Sequence, residues 1–140
     1  MRHNYYQSYR ESEILHADGI QLVCLMYRGA IARVQEAREC LRRGDIAGRS
    51  KAITKATAII NELAITLDHD QGGEISANLI RLYDYMVRRL NEGNFRQADE
   101  PLAEAEQLLV ALGEAWESCN KPAGGVLDET ARYAPVSCAG

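Results

Sequence analysis

Between the pairs Gly72-Gly73 and Gly93-Asn94 runs a stretch whose apolar residues leave few folds open. Ile75, Leu79, Leu82 and Met86 follow one another at spacings of four, three and four, which lines one side of an α-helix. Tyr83, Val87 and Leu90 form a second row beside the first. A helix with two apolar rows touches neighbours on two sides, as in a bundle, rather than lying on a sheet. The Gly-Gly and Gly-Asn pairs predict its start and its stop.

Three further stretches carry the same period. Ile20, Val23, Tyr27, Ala30, Val34, Ala37 and Leu41 alternate in threes and fours, a coiled-coil-like seam that predicts a helix from about Asp18, its N-cap, to Arg43. Gly44 stops it and Asp45 caps the next, so the joint forces an antiparallel return. The second helix runs to Leu67 on a seam of Ile46, Ile53, Ala56, Ile60, Leu63 and Leu67, with Lys51 and Lys55 on its outer side. Asp68-His69-Asp70-Gln71 then connects to the helix read first. Asp99-Glu100-Pro101 opens the fourth helix with a cap, an acid and a proline confined to the first turn. That helix carries Leu102, Ala105, Leu109, Leu112 and Trp116 and ends near Ser118. Strand-type alternation is absent from the sequence. The expectation is an all-α, antiparallel up-and-down four-helix bundle over residues 18–118.

Residues 1–17 are too polar to form a core element, yet they bring Tyr5, Tyr6 and Tyr9 within five residues. They read as a short segment that packs on the bundle through amphipathic rings. Residues 119–140, with Pro122, Gly124-Gly125 and Pro135, have no sustained period and read as a flexible tail.

A chain of 140 residues fits one domain with a proper core. The formal net charge of −4 argues against a nucleic-acid binder, whose affinity rests on neutralising phosphates. No apolar run approaches the roughly 20 residues that span a bilayer, and Met1-Arg2-His3-Asn4-Tyr5-Tyr6 lacks the apolar core of a signal peptide. A cytoplasmic protein is expected. Cys24, Cys40, Cys119 and Cys138 are scattered without a Cys-x-x-Cys pair, so no disulfide framework and no functional cysteine is expected.

Candidate chemistry is sparse. A di-metal carboxylate bundle needs two Glu-x-x-His pairs, and only Glu13 to His16 has that spacing, ahead of the first bundle helix. Asp68-His69-Asp70 reads as solvated caps in a helix connection. Arg28, Arg33, Lys55, Arg81, Arg88 and Arg89 could line a pocket for a dianion, as in all-helical isomerases, but they fall on the flanks of filled apolar seams where basic chains snorkel. No metal, cofactor or catalytic residue is assigned. What remains is apolar and aromatic surface beyond one seam per helix: Leu22, Leu25, Met26, Tyr27, Tyr83 and Tyr85. On a small helical protein such surface marks a protein partner. Another reading keeps all of it buried.

Gly72-Gly73-Glu74-Ile75, then Asn78-Leu79, then Leu82-Tyr83-Asp84-Tyr85-Met86-Val87-Arg88-Arg89-Leu90, closely resembles the third helix of the FliS flagellar secretion chaperones. Asn4-Tyr5-Tyr6-Gln7-Ser8-Tyr9 is similar to that family's Asn-Pro-Tyr-x-x-Tyr, with Tyr5 where proline is usual. Leu25-Met26-Tyr27-Arg28-Gly29-Ala30 is similar to its Met-Leu-Tyr-Asp-Gly-Ala, with Arg28 where an acid is common. Gly44-Asp45, Lys51-Ala52-Ile53, Ile59-Ile60 and Glu62-Leu63 match its second helix, and Glu114-Ala115-Trp116 resembles the end of its fourth. The Ser-Pro or Thr-Pro that often opens the first helix is replaced by His16-Ala17-Asp18-Gly19, and residues after Ser118 have no counterpart. The resemblance covers about residues 4–118.

The resemblance implies a non-enzymatic chaperone that binds the C-terminal segment of flagellin, keeps it from polymerising in the cytoplasm and helps deliver it to the export apparatus. Expected partner-binding residues are Tyr6, Tyr9, Leu22, Met26, Tyr27, Tyr83 and Tyr85, with residues 1–17 covering part of the client groove until displaced. A monomer or weak homodimer is expected. An adaptor bundle with another client, or a mutase-like enzyme, are the alternatives.

Overall fold

The computed structural model describes residues 19–67 and 69–119, with the side chains of 69–71 left aside. The segment 1–17, the cap Asp18, the side chains of Asp68-His69-Asp70 and the tail beyond Cys119 lie outside the described residues. Four helices follow in order: α1, Gly19–Arg43; α2, Ile46–Thr66; α3, His69–Arg96; and α4, Asp99–Cys119. No strand occurs among the described residues.

One compact unit, Met26–Gly113, takes part of every helix. Its helices meet antiparallel around a ring. Along the α1–α2 side, a Cβ added to Gly29 would lie 3.5 Å from Ile59 Cδ1, and one added to Gly48 would lie 2.9 Å from Cys40 Sγ. On α2–α3, Arg49 near the start of one helix holds Asn94 near the end of the other. On α3–α4 Tyr85 donates to Glu104, and on α4–α1 Arg38 binds Asp99 and Glu106. Four neighbouring pairs of opposite direction make the unit an up-and-down four-helix bundle. Of the second unit only residues 19–25 and 114–119 are described; in it Cys24 is buried and Leu25 is exposed.

The seams supply the core: Tyr27, Ala30, Val34 and Ala37 from α1, Ile53, Ala56, Ile60 and Leu63 from α2, Tyr83, Met86 and Leu90 from α3, Leu102, Ala105 and Leu109 from α4. Three seam residues were misjudged. Ile20, Ile46 and Ile75 are exposed. Ile20 and Ile46 stand in the first turn of their helices, and Ile75 in the first turn after a break at Gly73. A periodic row read from sequence carries no sign of where a neighbouring helix ceases to cover it.

The turns also correct the sequence reading. Gly44 (φ 77°) ends α1 in the left-handed region, and Asp45 N–H reaches back to Cys40 C=O at 2.9 Å, a Schellman closure. Asp45 then caps α2, its carboxylate accepting from Gly48 N–H at 2.9 Å. The expected stop at Gly93-Asn94 is wrong, because α3 continues to Arg96. Gly93 is buried in the helix, where a Cβ would fall 2.6 Å from Leu102 Cδ2 and 3.0 Å from the Ala98 carbonyl oxygen. Close approach of α4 accounts for that glycine. The reversal comes at Gln97 (φ 55°), with Ala98 N–H closing on Gly93 C=O at 3.0 Å. At the other end, residues 69–72 are already helical, and Gly73 (φ 54°, ψ −124°) makes a kink where a start was expected. The ends of α2 and α4 fall within a residue of their expected places.

Candidate functional site

The residues expected to bind a partner separate into two sets. Tyr27 and Tyr83 lie in the core, 1% and 2% exposed, with their hydroxyls 2.6 Å apart. Burial raises the Tyr83 pKa, and the bond to Tyr27 offsets only part of that rise. The Tyr83 hydroxyl therefore stays protonated at neutral pH, and the two rings join α1 to α3 from within. Leu22, Met26 and Tyr85 are half-buried and reach the surface. Tyr6 and Tyr9 lie outside the described residues.

Tyr85 sits on the flank where α3 meets α4. Its hydroxyl donates to the Glu104 carboxylate at 2.8–2.9 Å, and Arg89 bonds the same carboxylate. The hydrogen bond to Glu104 raises the Tyr85 pKa, while the same bond, joined by the one from Arg89, lowers that of Glu104. Arg89 also reaches Glu92 at 2.8 Å, which in turn bonds Arg96. The α1–α4 flank is tied in the same manner. Arg38 grips Asp99 with two bonds of 2.8 Å and Glu106 with one of 2.7 Å, and Gln35 adds 2.9 Å to Glu106. The Arg38 guanidinium holds Asp99 below the usual carboxylate range.

On α2–α3 the tie is part-buried. Arg49, only 5% exposed, donates to Asn94 Oδ1 at 2.7 Å and to the Asn94 carbonyl at 3.2 Å. The sequence held a sign of this pair: Arg49 occupies the seam position missing between Ile46 and Ile53, where an apolar residue would ordinarily stand.

The α1–α2 flank is different in kind. Met26, Gly29 and Ile59 lie half-buried along it, and Gly29 offers no side chain to cover Ile59. Lys55 and Lys51 stand exposed about one and two turns from Ile59 on the same side of α2. Neither has an ion-pair partner among the described residues.

Sequence reading missed two of the most exposed apolar side chains, Phe95 and Ile65. Ile65 falls off the α2 seam, which was its available signal; Phe95 was hidden by the misplaced end of α3. The cations that could have lined a dianion pocket do not converge. Arg33 pairs with Glu36, Arg89 with Glu92 and Glu104, Arg81 with Asn78, while Arg28, Arg88 and Lys55 are exposed. Among the described residues no three His, Cys, Asp or Glu gather as metal ligands. Cys24 and Cys40 are buried and not in disulfides, whereas Cys119 is disulfide-bonded, which the scattered spacing did not foretell. No helix among the described residues is long and apolar enough to cross a membrane.

The family model described as "Flagellar protein FliS" matches residues 1–123. This chain belongs to the FliS family. Among its curated relatives, the flagellar secretion chaperone FliS of Salmonella typhimurium is 40% identical over 114 residues, 81% of this chain and 84% of that protein. FliSB of Pseudomonas aeruginosa is 34% identical over 81% of this chain and 90% of its own length. FliS of Escherichia coli is 33% identical over 76% and 79%. The family is one of export chaperones and not of enzymes, which sets aside the mutase-like reading. The chain is thus a flagellar secretion chaperone by family.

Proposed function

We propose that this chain binds the C-terminal segment of flagellin in the cytoplasm, prevents its premature polymerisation and helps deliver it to the flagellar export apparatus. The observation that carries the reading is the family match across residues 1–123. The geometry is in keeping with it. A bundle whose core is filled and whose flanks are tied by Arg38, Arg49 and Arg89 is a rigid platform, and a client that folds on it bears the ordering cost itself, about 2–5 kcal/mol of the gross interaction. Amphipathic client helices seat in grooves between the bundle's helices through anchors three and four residues apart. Leu22, Met26 and Tyr85 supply surface for such anchors. Tyr27 and Tyr83 act from beneath, fixing the helices that carry Met26 and Tyr85. Residues 1–17, through Tyr6 and Tyr9, cover part of the groove until the client displaces them, and the protein works as a monomer or weak homodimer.

Calorimetric titration with a peptide spanning the host flagellin's C-terminal region, with circular dichroism alongside, tests the reading. Submicromolar 1:1 binding with a gain of helicity is expected. Neither heat nor helicity change would remove the client. Deletion of residues 1–17 should change affinity or rate; identical values in both would refute the lid.

A further inference from the structure

We infer that Cys119 and Cys138 form a reversible disulfide, a redox-sensitive clip that ties residues 120–138 back to the end of α4. The inference goes beyond the chaperone reading and does not depend on the client.

Elimination accounts for the bond. The sequence holds four cysteines, and Cys24 and Cys40 keep free thiols that are 1% and 3% exposed. Cys119 is half-buried at the final position of α4 and is disulfide-bonded. Cys138 alone remains to pair with it. The bond closes residues 119–138 into a ring, a stretch in which Pro122, Gly124-Gly125 and Pro135 suit a chain that turns back. The family match ends at residue 123, so most of the ring lies outside the matched region. The ring encloses no residue of the compact unit Met26–Gly113. Such a bond does not staple the core.

Its place and its compartment make it a switch. In the cytoplasm proposed above, the thiol pool keeps structural disulfides rare, and those that form are transient and responsive. A ring of about 20 residues brings its two thiols together at an effective concentration only on the order of millimolar. A reduced glutathione pool therefore opens it, and a rise in oxidised glutathione closes it. No basic residue lies in the last turn of α4 to favour a thiolate at Cys119, as a catalytic exchange cysteine requires. The pair responds to the pool rather than acting on other proteins. Burial withholds Cys24 and Cys40 from the exchange.

The chemistry is balanced thiol–disulfide exchange. One cysteine thiolate attacks a low-molecular-weight disulfide such as oxidised glutathione, forming a mixed disulfide and expelling one glutathione thiolate. The second cysteine thiolate attacks the protein sulfur of that mixed disulfide, forming the Cys119–Cys138 bond and expelling the other glutathione. The two cysteine protons end on the two departing thiols, and two electrons pass from the protein to the oxidant.

The test equilibrates the full reduced chain with glutathione at graded ratios of oxidised to reduced form. Acid stops the exchange, and free thiols are alkylated in denaturant before mass spectrometry. Cleavage at Arg132 separates a peptide holding Cys119 from one holding Cys138. A single intrachain bond joining those two peptides is expected, with Cys24 and Cys40 alkylated and the ring reopened by excess reduced glutathione. Cys119→Ser and Cys138→Ser should each leave the other cysteine as a mixed disulfide with glutathione. Oxidised and reduced chains should melt within about 3 °C of each other, since the ring encloses none of the bundle's core. A larger difference would overturn the clip in favour of a structural staple. Joined peptides that survive excess reduced glutathione would overturn the switch. A wild-type Cys119 that stops at the mixed disulfide, pairs with Cys24 or Cys40, or bridges two chains would overturn the pairing.

Discussion

The hydroxyl pair at the centre of the bundle makes a sharp prediction, because its two partners can be removed separately and together. Tyr27→Phe deletes one oxygen and leaves the Tyr83 hydroxyl, 2% exposed, without its 2.6 Å partner. Stranding a buried donor costs more than losing the bond itself, so the variant should lose about 1–2 kcal/mol of stability. In a chain of 140 residues that corresponds to a fall of roughly 3–8 °C in melting temperature. Tyr83→Phe should cost about 1 kcal/mol. The double variant keeps both rings and strands neither hydroxyl, so it should lose no more than the worse single variant. Urea unfolding of the four proteins closes a double-mutant cycle with a coupling of about 1 kcal/mol. Costs that simply add would refute the reasoning and show that the hydroxyls act independently. The pair also has a pH signature. The folded Tyr83 pKa lies above its unfolded value near 10.0, so between the two the unfolded chain has released a proton that the native chain retains. Its contribution is complete below about pH 10 and is lost as pH rises beyond it, a loss that Tyr83→Phe should diminish.

Three further predictions come from the flanks and turns. Arg38→Ala should cost about 1 kcal/mol in urea unfolding, a figure discounted because Arg38 and Asp99 are 28% and 44% exposed. The Asp99 carboxyl is held below its ordinary value by Arg38, so this contribution is present above about pH 4 and should vanish as pH falls further, narrowing the gap between variant and wild type. Gly93→Ala should destabilise by about 1–2 kcal/mol despite the better helix propensity of alanine, since the new methyl would fall 2.6 Å from Leu102 and 3.0 Å from the Ala98 carbonyl; a gain in denaturation midpoint would contradict the close-approach account. Gln97→Gly should raise the midpoint slightly, by up to about 0.5 kcal/mol, because the left-handed conformation there costs a side-chain residue more than the added chain freedom of glycine.

The helices were legible because an apolar period of three and four is imposed by geometry, and Ala30, Val34, Ile60 and Leu109 could face nowhere but inward. Gly44 and Asp45 were legible as a joint because both residues serve their turn locally. Asn94 and Gly93 were misread for the opposite reason. Their roles, as acceptor for Arg49 and as clearance for Leu102, are set by residues distant in sequence, and a local reading sees only a glycine and an asparagine. The candidate surface divides along the same line. Met26 and Tyr85 emerged as partly exposed, but Tyr27 and Tyr83 carry the same aromatic signature and are buried, because an amphipathic ring suits a surface and a hydroxyl-paired interior equally well.

The polar contacts inside this bundle bear on a hazard that the proposed helical client would bring. Its own seams repeat the spacing that an amphipathic client helix would carry, so nothing in the apolar pattern alone tells self from guest. A guest helix that displaced α3 could replace carbon with carbon easily enough, but it would forfeit the Tyr27–Tyr83 and Arg49–Asn94 bonds and leave the buried Arg49 guanidinium without its acceptor. Those few oxygens and nitrogens act as a password between the bundle's own helices.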